Sequence, residues 1–311
     1  MYVIAHRRFF FWITGLLLVG SIAALILMPP QLSIEFTGGS LVEVTYTGEV
    51  PTIDQVRTRL EPLGLADASI RGSGENGLTV RTRTLTPEAH DAVLAALSAD
   101  NAFPLTEERF SSIGPSMGNE LATKALYAIG AVTLAIMLYI AWAFRKVSRP
   151  VPAWGYGITA VAMLAIDIIV PAGFFAVYAY FTGAQVDTLF VVALLALMGY
   201  CINDVIVIFD RVREHLRHNE EEKIIEPFEE TVGKSITETL GRSINTSLTV
   251  ALSLLAIIFF GSESVRTFAL VMLVGVVIGA FSSIVRSAPL LIPLSKRFES
   301  RYASAAAPPR T

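Results

Sequence analysis

Residues 187–209 read DTLFVVALLALMGYCINDVIVIF, and how a folded chain can accommodate this stretch decides the architecture. A helix needs about 20 predominantly apolar residues to cross the hydrocarbon core of a bilayer. The stretch has that length, yet Asp204 lies inside it. An ionisable side chain at such a depth costs about 2.5–3.5 kcal/mol on insertion scales, so it needs a partner, a hydrated cavity or a function. At about 100° per residue Tyr200, Asn203, Asp204 and Arg211 share one face, which must meet protein or water. Asp210 falls toward another side, beside Arg211 and Arg213, where a solvated ion pair accounts for it.

Runs of the same kind occupy residues 9–28, 121–144, 157–181, 244–260 and 268–294, which makes six spans. The 311-residue chain is 53% hydrophobic and 16% charged, unlike an ordinary soluble domain. A net charge of −3 gives no reason to expect a nucleic-acid partner. The single cysteine, Cys201, excludes an intrachain disulfide and reads as a packed small residue.

Short loops orient the spans, because Lys and Arg collect on the cytoplasmic side. His6, Arg7 and Arg8 precede the first span; Arg145, Lys146 and Arg149 follow the second. Arg211, Arg213, Arg217, Lys223 and Lys234 follow the fourth, and Lys296, Arg297 and Arg301 the sixth. The loops at 182–186 and 261–265 contain neither residue type. Both termini are therefore expected in the cytoplasm and residues 29–120 in the periplasm. The expected divisions are a cytoplasmic N-terminus (1–8), a first span (9–28), a periplasmic domain (29–120), five further spans (121–294) and a cytoplasmic tail (295–311). The first apolar run exceeds the usual signal-peptide core, and Pro29 and Pro30 replace a small-residue cleavage site, so it reads as an uncleaved anchor.

Within residues 29–120, the alternation of Leu41, Val42, Val44 and Tyr46 predicts a strand. Thr52 caps a helix through Ile53, Val56, Leu60 and Leu63 that Gly64 ends. Residues 68–71 and 78–82 flank Gly72-Ser-Gly-Glu-Asn-Gly77 as a hairpin. These residues also spell GxGxxG, but a dinucleotide site needs a helix after the pattern and here a strand follows, so no cofactor is expected. A second helix starts at Thr86 and Pro87 and runs through Val93 and Leu97, before a last strand at 105–111. The order βαββαβ is ferredoxin-like. The expected fold is thus a membrane all-α bundle of six transmembrane helices with one periplasmic ferredoxin-like α+β domain.

Other spans also carry polar groups. Asp167 lies about ten residues into the third, with Pro171 one turn later freeing a backbone carbonyl; it is either a hydrogen-bonded packing acid or a working one. In the fifth, Glu238, Arg242, Asn245, Thr246, Thr249 and Ser253 recur along one face. Arg242 is a natural partner for an acid, or an arginine snorkelling to the headgroups. Asn245-Thr246-Ser247 spells a glycosylation acceptor to which an apolar helix gives no access. Gly275, Gly279 and Ser283 form a small-residue seam that lets another helix approach, and Arg286 on the same face either snorkels or joins the polar interior. The histidines His6, His90, His215 and His218 lie outside the spans and form no catalytic or HExxH arrangement, so an enzyme is not expected.

Several segments together resemble the SecF members of the SecD/SecF family. Glu35-Phe-Thr-Gly-Gly39 resembles the signature Asp-Phe-Thr-Gly-Gly, and Gly114-Pro-Ser-Met-Gly118 resembles Gly-Pro-x-x-Gly. The most specific matches are GYCINDVIVIFDRVRE (199–214), TLGRSINTSLT (239–249) and GAFSSIVRSAPLL (279–291). The resemblance implies an RND-like half that pairs with SecD, sits beside the SecYEG channel and uses the proton motive force to help move an unfolded, translocating polypeptide across the bacterial inner membrane. It further implies YajC and YidC as candidate partners, protons as the coupling ion and no cofactor. In the family the acid matching Asp204 and the arginine matching Arg242 are associated with proton passage, and the acid matching Asp167 belongs to a His-Asp pair. Here Glu35 stands for aspartate, Ile166 for that histidine, and Arg286 for a usually apolar residue. Asp204 and Arg242 are therefore the leading proton-relay candidates, followed by Asp167, with Asn203, Tyr200, Asn245 and Thr246 as supporting polar groups. Two alternatives share the pattern: an RND-type secondary exporter of small molecules, which ordinarily carries two copies of the six-span unit, and a passive scaffold.

Overall fold

The computed structural model describes residues 2–74, 76–99, 101–145 and 150–305; Glu75 of the hairpin turn and Lys146 and Arg149 of the charge pattern lie outside the described residues. In chain order the elements are α1 (Tyr2–Ala5), α2 (Arg7–Leu27), α3 (Ile34–Thr37), β1 (Gly39–Tyr46), α4 (Ile53–Leu60), β2 (Ser69–Ser73), β3 (Gly77–Thr82) and α5 (Pro87–Ser98). They continue with β4 (Leu105–Ile113), α6 (Pro115–Ala143), α7 (Ala153–Thr182), α8 (Thr188–Glu221), α9 (Phe228–Phe260), α10 (Glu263–Ser282) and α11 (Leu291–Ala305), with a π-helical turn at Ser283–Ser287. Two compact units result: residues 31–127 with 185–188, and a helical unit formed by the rest.

The smaller unit holds a four-stranded antiparallel sheet in the order β2-β3-β1-β4. This is the ferredoxin-like arrangement expected from the βαββαβ order. Alternate residues of the strands, Val42, Val44, Tyr46, Leu78 and Val80, are buried with Val56 and Leu60 of α4 and Val93 and Leu97 of α5. Burying each such valine or leucine side chain stabilises by about 1.5–3 kcal/mol, which fixes which face of each helix turns inward. The local signals act as read: Thr52 and Gln55 form a reciprocal capping box, Gly64 takes a left-handed φ of 70° after a short 3-10 turn, and the Thr86 hydroxyl accepts from Ala89 N with Pro87 in the first turn.

In the larger unit α2, α6, α7, α8, α9 and the α10–α11 segment are each long and apolar enough to cross a membrane. Phe144 stacks on Tyr156 at 5.1 Å, and Phe209 meets Tyr156 edge-on at 5.3 Å, joining the end of α6 and the start of α7 to the middle of α8. Small residues set the closest approaches. A Cβ at Gly275 would strike Leu197, and one at Gly279 would strike the Cys201 sulfur, so α10 lies directly on α8. Gly173 of α7 likewise admits the backbone of Ser21 on α2.

Charged residues tie the helix ends together. Glu229 pairs with Arg7 at 3.2 Å and Lys296 at 2.8 Å. Glu226, in the connection between α8 and α9, accepts from Lys234 and, at 3.1 Å each, from Asn219 and Thr231. These bonds hold its carboxyl below the ordinary 4.5, Lys234 foremost, with burial opposing them. A carboxyl whose pKa is lowered on folding contributes stability above its unfolded pKa and loses it as pH falls through the folded value. Glu226→Gln should therefore unfold at a lower temperature than the parent at pH 7, and the gap should close as the pH is taken below about 4.5. Thermal unfolding in detergent across a pH series measures this.

Candidate functional site

Asp204 points into the helical unit from α8 and is 4% exposed. Its Oδ2 makes no hydrogen bond among the described residues. The Arg242 guanidinium on α9 acts on its charge from beyond ion-pair distance, since no described ion pair joins them within 4 Å. Arg242 itself is exposed, as are Asn245 and Thr249, whereas Thr246 is half-buried. The Thr246 and Thr249 hydroxyls donate back to the carbonyls of Arg242 and Asn245. Asn203 is exposed beside its buried neighbour Asp204, so the stripe expected on α8 divides: Asp204 faces the interior and Asn203 faces out. Tyr200 is half-buried and donates to Ser247 Oγ at 3.0 Å, linking α8 to α9.

A second charged pair lies deeper. Asp167 of α7 is 2% exposed and Arg286 3%, with Oδ1 and an Arg286 terminal nitrogen 3.7 Å apart. The π-helical turn carries Arg286 inward, flanked by the buried Ser282, Ser283 and Ser287. Ser282 also acts on the Asp167 carboxylate, and Ser283 donates to the Ala280 carbonyl at 3.0 Å. Of the two fates the sequence left open for Arg286, the structure places it in the polar interior. Cys201, packed at Gly279, lies within electrostatic reach of both Asp167 and Asp204, so Asp167 of α7 faces the stretch of α8 that carries Asp204.

The model of the protein export membrane protein SecD/SecF C-terminal region matches residues 93–297, and that of the SecD/SecF GG motif matches residues 23–50. The chain belongs to the SecD/SecF family. Protein translocase subunit SecF of Anaerolinea thermophila is 35% identical over 93% of this chain and 92% of its own length. The SecF subunit of Thermobaculum terrenum is 34% identical with the same coverage. Among solved structures, SecDF from Thermus thermophilus, a translocon-associated membrane protein, superimposes with a TM-score of 0.80 at 30% identity. That match takes in 96% of this chain and 39% of the longer SecDF chain. Six apolar helices and SecD/SecF membership make this a multi-pass membrane protein of the transport class.

Several contacts in this SecD/SecF site were not legible residue by residue. Ser247, which receives Tyr200, and the buried Ser243 follow one another at i, i+4 on α9, and that spacing of small polar residues in an apolar helix was the available signal. The serines around Arg286 offered a similar one.

Proposed function

We propose that this chain is a SecF-type accessory subunit of the Sec protein translocase that, paired with SecD beside SecYEG, uses the proton motive force to assist late, periplasmic-side steps of protein export. The observation that carries the reading is Asp204, buried in an apolar helix with an oxygen that accepts no hydrogen bond among the described residues and with Arg242 acting on it from beyond contact. Burying an unpaired carboxylate is costly. The attraction of a guanidinium falls steeply with distance and hydration. Relative movement of α8 and α9 therefore changes the proton affinity of Asp204, and protonation in turn biases that movement. One charge moved through 100 mV is worth about 2.3 kcal/mol, enough to shift a two-state population roughly 50-fold.

Asp167 enters as a second acid whose charge is balanced by Arg286, while Tyr200, Asn203, Asn245 and Thr246 supply polar support along the route. The exposed polar stripe of α9 is unsuited to acyl chains, which supports a SecD half lying over it. The distribution of Lys and Arg supports cytoplasmic termini and a periplasmic sheet domain, which would meet the unfolded polypeptide. YajC and YidC are further partners on this reading. No group other than the proton is required.

An Asp204→Asn protein keeps the shape of the side chain and loses its titration. Export into membrane vesicles carrying it with SecD should lose its response to the proton gradient while the two subunits still co-purify. Export that responds normally to the gradient would remove Asp204 from the mechanism, and recovery of the chain only as a self-associated oligomer would favour the small-molecule exporter.

A further inference from the structure

Residues 185–188, the end of the α7–α8 connection and the first residue of α8, fold with the sheet unit. Leu32 and Val186 form a parallel bridge, with Ser33 N donating to Val186 O at 2.8 Å and Val186 N to Gln31 O at 2.9 Å. Four residues beyond Gln31, the Glu35 carboxylate accepts from the backbone N–H of Thr188 at 2.6 Å. Thr188 is the first residue of α8. Its N–H is one of those that a helix leaves without an internal partner, and an anionic oxygen there also suits the helix dipole.

The junction is charged throughout. Arg81 is pushed down to about 10, first by burial and then by Arg71, against the pull of Glu43, Asp187 and Glu35. Arg71 also donates to Gln31 Oε1 at 3.1 Å. The same short segment grips a second helix start: a Cβ at Gly38 would lie 2.7 Å from Pro115 Cα, and one at Gly118 2.7 Å from Gly38 N. The Glu35–Gly39 stretch is thus fastened to the first turns of α6 and α8 as well as continuing into β1.

We propose that Glu35 is a positioning residue that couples the sheet unit to the helix carrying Asp204. Asp204 lies about 24 Å along α8 from Thr188, and a continuous helix transmits rotation and axial shift over that length. Motion of α8 that accompanies a change of charge at Asp204 reaches the sheet through the Glu35–Thr188 bond and the Leu32–Val186 bridge. This rests on the proton-coupled reading above.

The test uses the full chain assembled with SecD in vesicles. Glu35→Ala should lower the gradient-dependent part of export about tenfold, the scale of a lost hydrogen bond to a charged group, with gradient-independent export and co-purification unchanged. Glu35→Asp should restore part of the loss. Thr188→Pro removes the donor at a position where proline suits a helix, and should reproduce the Glu35→Ala result without disturbing α8. Oxidising a Leu32→Cys, Val186→Cys pair in the Glu35→Ala chain should restore the response by fastening the same junction. A normal gradient response in both Glu35→Ala and Thr188→Pro, or no recovery on cross-linking, overturns the proposal. Asp204→Asn measured in parallel separates the two ideas: if it keeps the gradient response, the proton reading fails, whereas loss there with retention in Glu35→Ala sinks only the junction.

Discussion

Arg286→Leu should destabilise the protein by about 3–5 kcal/mol, because it leaves the buried Asp167 carboxylate without its balancing charge. The two groups are 3.7 Å apart and nearly inaccessible, so solvent cannot take over the role of either. Replacing both members, as Asp167→Asn with Arg286→Leu, should return most of that loss, since no unbalanced charge then stays buried. Unfolding in mixed detergent micelles, arranged as a double-mutant cycle, gives the coupling directly. If the double variant is as unstable as Arg286→Leu alone, the arginine stem contributes by packing and the charge pairing is incidental.

The second large effect belongs to Gly39. Its φ is 125°, a conformation that L residues rarely adopt, and a Cβ there would lie 2.6 Å from the Thr82 carbonyl oxygen. The obstructing atom belongs to the β1–β3 ladder, where Ser40 pairs with Thr82, and cannot swing aside as a side chain would. Gly39→Ala should cost about 2–5 kcal/mol, combining strained backbone with overpacking. Earlier thermal unfolding and faster proteolysis within residues 31–127 of the whole chain would register it. Gly48→Ala is the control, since nothing lies within 4 Å of the added methyl group.

The sheet unit was legible in outline because its determinants are local. Alternating apolar residues at Val42, Val44 and Tyr46 and the Thr52, Gly64 and Thr86 boundaries each act over a few residues. The spans were legible for a similar reason, their apolar length. Burial within a span was not, because it depends on neighbours that helical spacing does not name. Asn203 and Asp204 share a face on a helical projection, yet the first is exposed and the second buried. Glu35 and Thr188 are 153 positions apart, so the resemblance marked Glu35 as part of a motif without indicating what it touches. Arg286 was ambiguous because the projection assumed an unbroken α-helix, whereas the turn at Ser283–Ser287 alters the phase.

That wider turn also bears on how relatives are lined up. A π segment holds one more residue than the α turn it replaces. A chain lacking the surplus residue would swing everything downstream by about 100°, leaving the preceding contacts of Gly275 and Gly279 untouched. An ungapped alignment would then set Arg286 against a side chain that points elsewhere. Whether this arginine has a counterpart is best judged by which residue of a relative reaches α7, and the gap placed accordingly.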